Sequence, residues 1–276
     1  MIRISEHQLH RLMARLSQHA MTVLRFLAQQ RFATTSHLAR LLRPHHASPA
    51  SALRQTSRLT KHLATLHLIR ALTRRIGGMR AGSGAAIWHL TEPGHRLITC
   101  HDAGTGTPTR RRWHEPSINF LTHTLAITET RITIEETARH SPIAIRHIEP
   151  EPTCWRSHLG PYGQPEWVKP DLGLITETDG YQDHWWCEID LATENPARIT
   201  TKARAYHRHY QAGTEQATRG IFPRVLWITP HPARKQQLHR ILTGDTTLPA
   251  GMHSAITLEE IAEVLENSTE NYYSQR

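Results

Sequence analysis

The amino-acid sequence predicts an α+β chain of two domains, a basic helical one closed by a short hairpin and then an α/β one built on a mixed sheet. Three observations predict it. Apolar residues recur at helical spacing from Ser17 to Leu66. Charge divides the chain, with 18 Lys+Arg against 3 Asp+Glu up to Trp113 and 15 against 21 beyond it. After Pro116, short apolar runs bounded by turn residues alternate with helical stretches. At 276 residues the chain is long enough for two separate cores.

In the first domain, 1–100, Ser17 is placed to cap a helix with Met21, Val23, Leu24, Phe26 and Leu27 inward, ending near Gln30. Thr34 or Thr35 caps a second helix, with Leu38, Leu41 and Leu42 inward, that stops before Pro44. Pro49 and Ser51 open a third, with Leu53, Leu59, Leu63 and Leu66 as its expected core positions. Its opposite face carries Arg54, Gln55, Arg58, Lys61 and His62, a polar and basic surface suited to a major groove. Two strands, Ile69 to Arg75 and Ala86 to Leu90, flank a glycine-rich tip, and Arg74 and Arg75 at the end of the first strand together with Arg80 in the tip can reach phosphates. Three helices and a hairpin in this order predict a winged helix-turn-helix that binds double-stranded DNA. The net charge of +9 supports such a partner.

Residues 101–115 read as a linker, rich in Gly and Thr and ending in Arg110, Arg111 and Arg112, three more candidate DNA contacts. The second domain, 116–266, opens with a helix from Pro116 to about Ala138, on which Glu129 reads as a surface or capping residue. Strands follow at Ile143 to His147, around Asp171 and around Glu188. Next come a helix from Pro196 to Tyr210, a buried strand from Arg224 to Thr229 and a helix from Pro232 to Leu242. A strand from Met252 to Ile256 and an acidic helix from Leu258 to Leu265 close it. Trp185, Trp186 and Trp227 read as packing for the sheet, and residues 267–276 as a disordered tail.

Composition excludes several classes. Three cysteines without paired spacing give neither a disulfide framework nor a thiolate zinc site, and the 22 histidines are scattered. Arg3, His10, Arg11 and Arg15 interrupt any apolar leader, and no stretch approaches membrane-spanning length. A cytoplasmic protein with no membrane partner is expected.

Chemistry concentrates at Asp171, Glu188, Asp190 and Lys202. Glu188 and Asp190, two apart on a strand, leave the same face, and Asp171 joins them if the two strands pair. Three converging carboxylates repel one another unless a cation intervenes, and hard oxygen donors select Mg2+ or Mn2+. Lys202, on the next helix, is the expected charge-stabilising base.

This arrangement resembles the core of the PD-(D/E)xK nuclease-like superfamily, which implies a restriction-endonuclease-like α/β domain. The chain departs from that pattern two residues after Glu188, where Asp190 stands in the lysine's place and Lys202 would be a migrated lysine. Pro170-Asp171, then Glu188-Ile-Asp190-Leu-Ala-Thr193-Glu194, then Lys202 and Tyr206, following a winged helix, resembles the replication-relaxation family of bacterial plasmids and integrative elements from roughly Ser17 to Thr229. The resemblance implies a role in plasmid DNA replication, relaxation or conjugation, with Thr193 and Glu194 as helix caps. Two functions stay open: a metal-dependent nicking or cleaving endonuclease, or a non-catalytic accessory factor assembling with a relaxase, replication protein or DNA translocase. A homodimer is compatible with either.

Overall fold

The computed structural model describes residues 6–72, 86–103 and 115–267. Arg74, Arg75, Arg80, the glycine-rich tip between them, Arg110, Arg111, Arg112 and residues 268–276 lie outside the described residues. The chain forms two compact units, Met1–Ile132 and Thr133–Arg276.

The first unit begins with α1 (Glu6–Met13), a helix the sequence reading lacks, and α2 (Gln18–Gln30). Ser17 caps α2, its hydroxyl accepting from Ala20 N–H at 3.2 Å. A two-residue strand β1 (Ala33–Thr34) precedes α3 (Thr35–Leu41), whose cap is Thr34: its hydroxyl accepts from His37 N–H at 3.1 Å, and His37 Nδ1 accepts from Thr34 N–H at 3.3 Å. After a 3-10 turn comes α4 (Pro49–Thr65), with Ser48 as cap and Pro49 in the first turn, where a missing N–H costs nothing.

The inward stripe of α4 is Ala52, Thr56, Thr60 and Leu63. Leu53, expected inside, is 45% exposed; small residues and threonines let α4 pack closely, and Leu53 falls off that stripe. Strands β2 (Ile69–Ala71) and β3 (Ile87–Leu90) complete an antiparallel sheet of order β1-β3-β2. Trp88 Nε1 donates to Thr35 Oγ1 at 2.9 Å and so fastens the sheet to the start of α3. Helix α5 (Glu92–Ala103) follows, and the division between units falls within α6 (Ile118–His140). One apolar core gathers Val23, Leu24, Leu27, Leu38, Leu63, Leu68 and Leu97, each such side chain contributing about 1.5–3 kcal/mol on burial.

In the second unit, β4 (Ala144–Pro150) leads to a separate hairpin, β5 (Arg156–Leu159) and β6 (Pro165–Val168), absent from the sequence reading. β7 (Leu172–Thr178) and β8 (Tyr181–Ile189) are joined by Asp179 and Gly180, both at positive φ (51° and 83°), as a tight two-residue hairpin turn requires. Then come α7 (Pro196–Gln211), a short α8 (Thr214–Arg219), β9 (Arg224–Thr229), α9 (Pro232–Gly244), β10 (His253–Thr257) and α10 (Ile261–Glu266).

The five-stranded sheet has the order β10-β9-β8-β7-β4 and is mixed: β10, β9 and β8 run parallel, while β7 and β4 run antiparallel to their neighbours. The central parallel strand β9 is a nearly continuous apolar run, Val-Leu-Trp-Ile, because both of its faces are covered. Trp185, Trp186 and Trp227 are all buried in this sheet, as read from the sequence. The core between the sheet and α7 and α9 holds Trp186, Trp227, Ile199, Ala203, Tyr206, Leu238 and Leu242.

Candidate functional site

The antiparallel register of β7 and β8 pairs Leu172 with Cys187, and Asp171 N–H continues it by donating to Cys187 O at 2.9 Å. Asp171 and Glu188 therefore face each other across adjacent strands, on one side of the sheet. Asp171 Oδ2 accepts from Ile189 N–H at 2.7 Å. Glu188 pairs in the parallel direction with Trp227, so the carboxylate stands beside an indole.

Helix α7 covers this corner. It starts at Pro196 behind Asn195, whose side chain accepts from Arg198 N–H at 2.9 Å, so Asn195 is the cap in place of the Thr193 and Glu194 expected from the sequence. About two and three turns in, it presents Lys202 and Tyr206. Lys202 Nζ donates to Glu188 Oε2 at 2.6 Å and lies 5.6 Å from the Trp227 ring centroid; Tyr206 OH donates to Glu188 Oε1. Glu194 lies 3.6 Å from the same ammonium.

Burial governs the electrostatics. It pushes the Glu188 carboxyl up to about 7, with Asp171 adding to the rise while Lys202 and the Tyr206 hydroxyl oppose it. Burial alone would lower the Lys202 ammonium, but the charge and hydrogen bond of Glu188 outweigh it and hold the pKa above its ordinary value. Burial, then Glu188, lifts the Tyr206 phenol well above its usual range, so it serves as a donor and not as a phenolate.

Asp190 lies one residue beyond the end of β8 and turns to a different partner. Arg234, in the first turn of α9, donates to its Oδ2 at 2.7 Å and its Oδ1 at 3.2 Å and also reaches Glu194 O at 2.7 Å. Ala192 N–H adds a further bond to Oδ1. The structure thus brings together Asp171, Glu188 and Lys202 and ties Asp190 to α9. Asp171 and Glu188 offer the hard oxygen donors that Mg2+ or Mn2+ prefers. Asp190, with both oxygens bound to a guanidinium, does not join them. Among the described residues, no group of three or more His, Cys, Asp or Glu side chains is arranged to hold a metal ion.

In the first unit, Arg54, Gln55, Arg58, Lys61 and His62 are all exposed on α4, and helical spacing sets them on one face about a third of the circumference wide, opposite Ala52 and Leu63. Glu129 of α6, expected at the surface or in a cap, instead bridges to α3: Arg40 donates to its oxygens at 2.6 and 2.7 Å, and His37 Nε2 lies 3.0 Å away. Burial opposes ionisation there, but the His37 and Arg40 hydrogen bonds and the Arg40 charge bring Glu129 down to about 2.

The replication-relaxation family model matches residues 24–225, a span that takes in α4, Asp171, Glu188, Lys202 and Tyr206. The chain belongs to the replication-relaxation family. No curated protein matches this replication-relaxation chain in sequence. The solved structure of restriction endonuclease FokI aligns with 98% of this chain and 74% of its own, at 11% identity and a TM-score of 0.27, too low for the likeness to bear on fold or activity. Among the described residues, no helix of this family member is long and apolar enough to cross a membrane.

Sequence reasoning missed Arg234. The one local signal was a cation in the first turn of α9, where the helix dipole disfavours positive charge and an acidic partner is needed.

Proposed function

We propose that this protein binds double-stranded DNA during plasmid or mobile-element replication and relaxation, and nicks or cleaves it with a metal-dependent site in its second unit. The first unit is read as a winged helix-turn-helix with α4 as recognition helix, and the second as a PD-(D/E)xK-like nuclease domain. The observation that carries the reading is the ammonium of Lys202 at 2.6 Å from Glu188, with Asp171 opposite on the neighbouring strand. In this reading Lys202, from the following helix, is the migrated lysine that takes over the role of a lysine two residues after Glu188.

Asp171 and Glu188 are the side chains that would hold Mg2+ or Mn2+. The ion, when bound, supplies an activated water and neutralises phosphate charge. Tyr206 fixes the orientation of Glu188 by donating to one of its oxygens. Lys202 places its positive charge beside the reacting phosphate, where it stabilises negative charge developing in the transition state. Arg234 keeps Asp190 on α9 and holds the segment between β8 and α7 through Glu194 O.

The test is nicking of supercoiled plasmid by the purified protein with magnesium, manganese or EDTA, alongside Glu188→Gln and Lys202→Ala. Metal-dependent nicking lost in both variants is expected. Absence of cutting on DNA that the protein demonstrably binds would overturn it. It would support a second reading, favoured by the engagement of Asp190 with Arg234. In that reading the protein is a non-catalytic accessory factor that assembles with a relaxase, replication protein or DNA translocase.

A further inference from the structure

We infer that the outer face of the β5–β6 hairpin stacks unpaired bases of a single DNA strand and leads that strand to the Asp171–Glu188 pair. The inference deepens the DNA-handling reading above and rests on it. The hairpin has two unlike faces. Its register pairs Arg156 with Val168, Ser157 with Trp167, His158 with Glu166 and Leu159 with Pro165. Inward, Val168 is buried, His158 Nδ1 lies 3.0 Å from His209 Nδ1 on α7, and Arg208 donates to Glu166 at 2.8 Å. Outward, Leu159 is 73% exposed and Trp167 50%, while Tyr162 in the turn is 94% exposed. At the base of the hairpin, the exposed Lys169 holds its ammonium 4.8 Å from the Trp155 ring centroid.

Charge chooses the occupant. From Trp155 to Lys169 the only carboxylate is Glu166, which points inward and is paired with Arg208. The outer face therefore offers flat aromatic rings and a cation, Lys169, that makes no ion pair among the described residues. In an isologous contact a second copy would bring the same cation and no carboxylate to answer it. A polynucleotide supplies π-faces for the rings and phosphates for the lysine. Position agrees: Trp167 and Asp171 are four positions apart, at most about 14 Å of extended chain, a span that a short stretch of single strand can bridge.

Fluorescence anisotropy in EDTA tests this with full-length protein and three labelled probes: an oligothymidylate, an abasic strand of equal length, and a duplex. Trp167→Ala is expected to weaken oligothymidylate binding about 5- to 150-fold, with Trp167→Phe retaining most of it and the duplex affinity unchanged. Tyr162→Ala should act in the same direction, and the abasic strand should bind wild type weakly. A folded Trp167→Ala protein with wild-type oligothymidylate affinity would overturn the inference, as would equal binding of the abasic strand. Loss of self-association in sedimentation velocity, with DNA binding intact, would assign the face to a second copy and overturn it too. Because EDTA removes any cleavage, a protein that stacks bases but never nicks would sink the nuclease reading while leaving this one standing.

Discussion

Lys202 and Glu188, fourteen residues apart on a helix and a strand, meet at 2.6 Å between Nζ and Oε2, with Glu188 almost wholly buried and Lys202 only partly so. Removing the ammonium leaves a buried carboxylate without its cation. A carboxyl whose folded pKa stands above its unfolded value binds its proton more tightly in the native state. Its stability contribution is therefore greatest below the ordinary 4.5 and is lost as pH rises through about 7. Lys202→Ala should cost little at pH 5, where Glu188 is protonated, and about 3 kcal/mol at pH 8. Urea denaturation at the two pH values checks it; equal losses at both would contradict the assigned pairing.

Duplex recognition is expected to reside on α4. Charge reversal at Arg54 and Arg58 should abolish specific duplex binding and, if both neutralise phosphates, lower the salt slope by about 2. Anisotropy titrations over a range of salt report both. An unchanged slope would remove α4 from the interface.

Glu129 makes the first unit sensitive to acid. Its folded pKa of about 2 lies below the ordinary 4.5, so its contribution is present above 4.5 and is lost as pH falls toward 2. The loss should amount to about 3 kcal/mol at most. Glu129→Gln should flatten that part of the stability profile in denaturant melts between pH 5 and pH 2.

Arg234→Met should destabilise the second unit by about 3–5 kcal/mol, because it strands buried Asp190. The double variant with Asp190→Asn should recover much of that loss. A double-mutant cycle by chemical denaturation measures the coupling, and additive losses would mean that the two side chains act independently.

At Gly94 an added Cβ would overlap the backbone oxygen of Leu68, which cannot move without disturbing β2. Gly94→Ala should therefore destabilise the first unit by about 1–3 kcal/mol, typical of an overpacked contact, and show as a lowered thermal midpoint.

Much of the architecture was legible because it rests on local chemistry. Ser17, Thr34 and the Pro49 and Pro196 starts announce their helices, and the Val-Leu-Trp-Ile run announces β9. Helix α1 was missed although Leu9, Leu12 and Met13 recur at helical spacing, because it is only eight residues long; hairpin β5–β6 was not legible, its strands being four residues each around a turn of Gly160, Pro161 and Gly163. The meeting of Asp171, Glu188 and Lys202 followed from spacing and one assumed strand pairing. The departure of Asp190 did not, because its partner Arg234 is 44 positions away and only tertiary packing brings α9 to it. Leu53 was misplaced because leucine was favoured over the small residues and threonines that line the real seam of α4.

The Asp179-Gly180 turn has a reach well beyond its two residues. From Thr178 opposite Tyr181 the ladder counts down without a bulge to Leu172 opposite Cys187, and the next rung is the acid pair. One extra residue at that distant bend would slide Glu188 past Asp171 and send one of them through to the far side of the sheet. The spacing of the two acids is thus held by a dipeptide at the other end of the ladder, and its length is as much a part of the site as the carboxylates themselves.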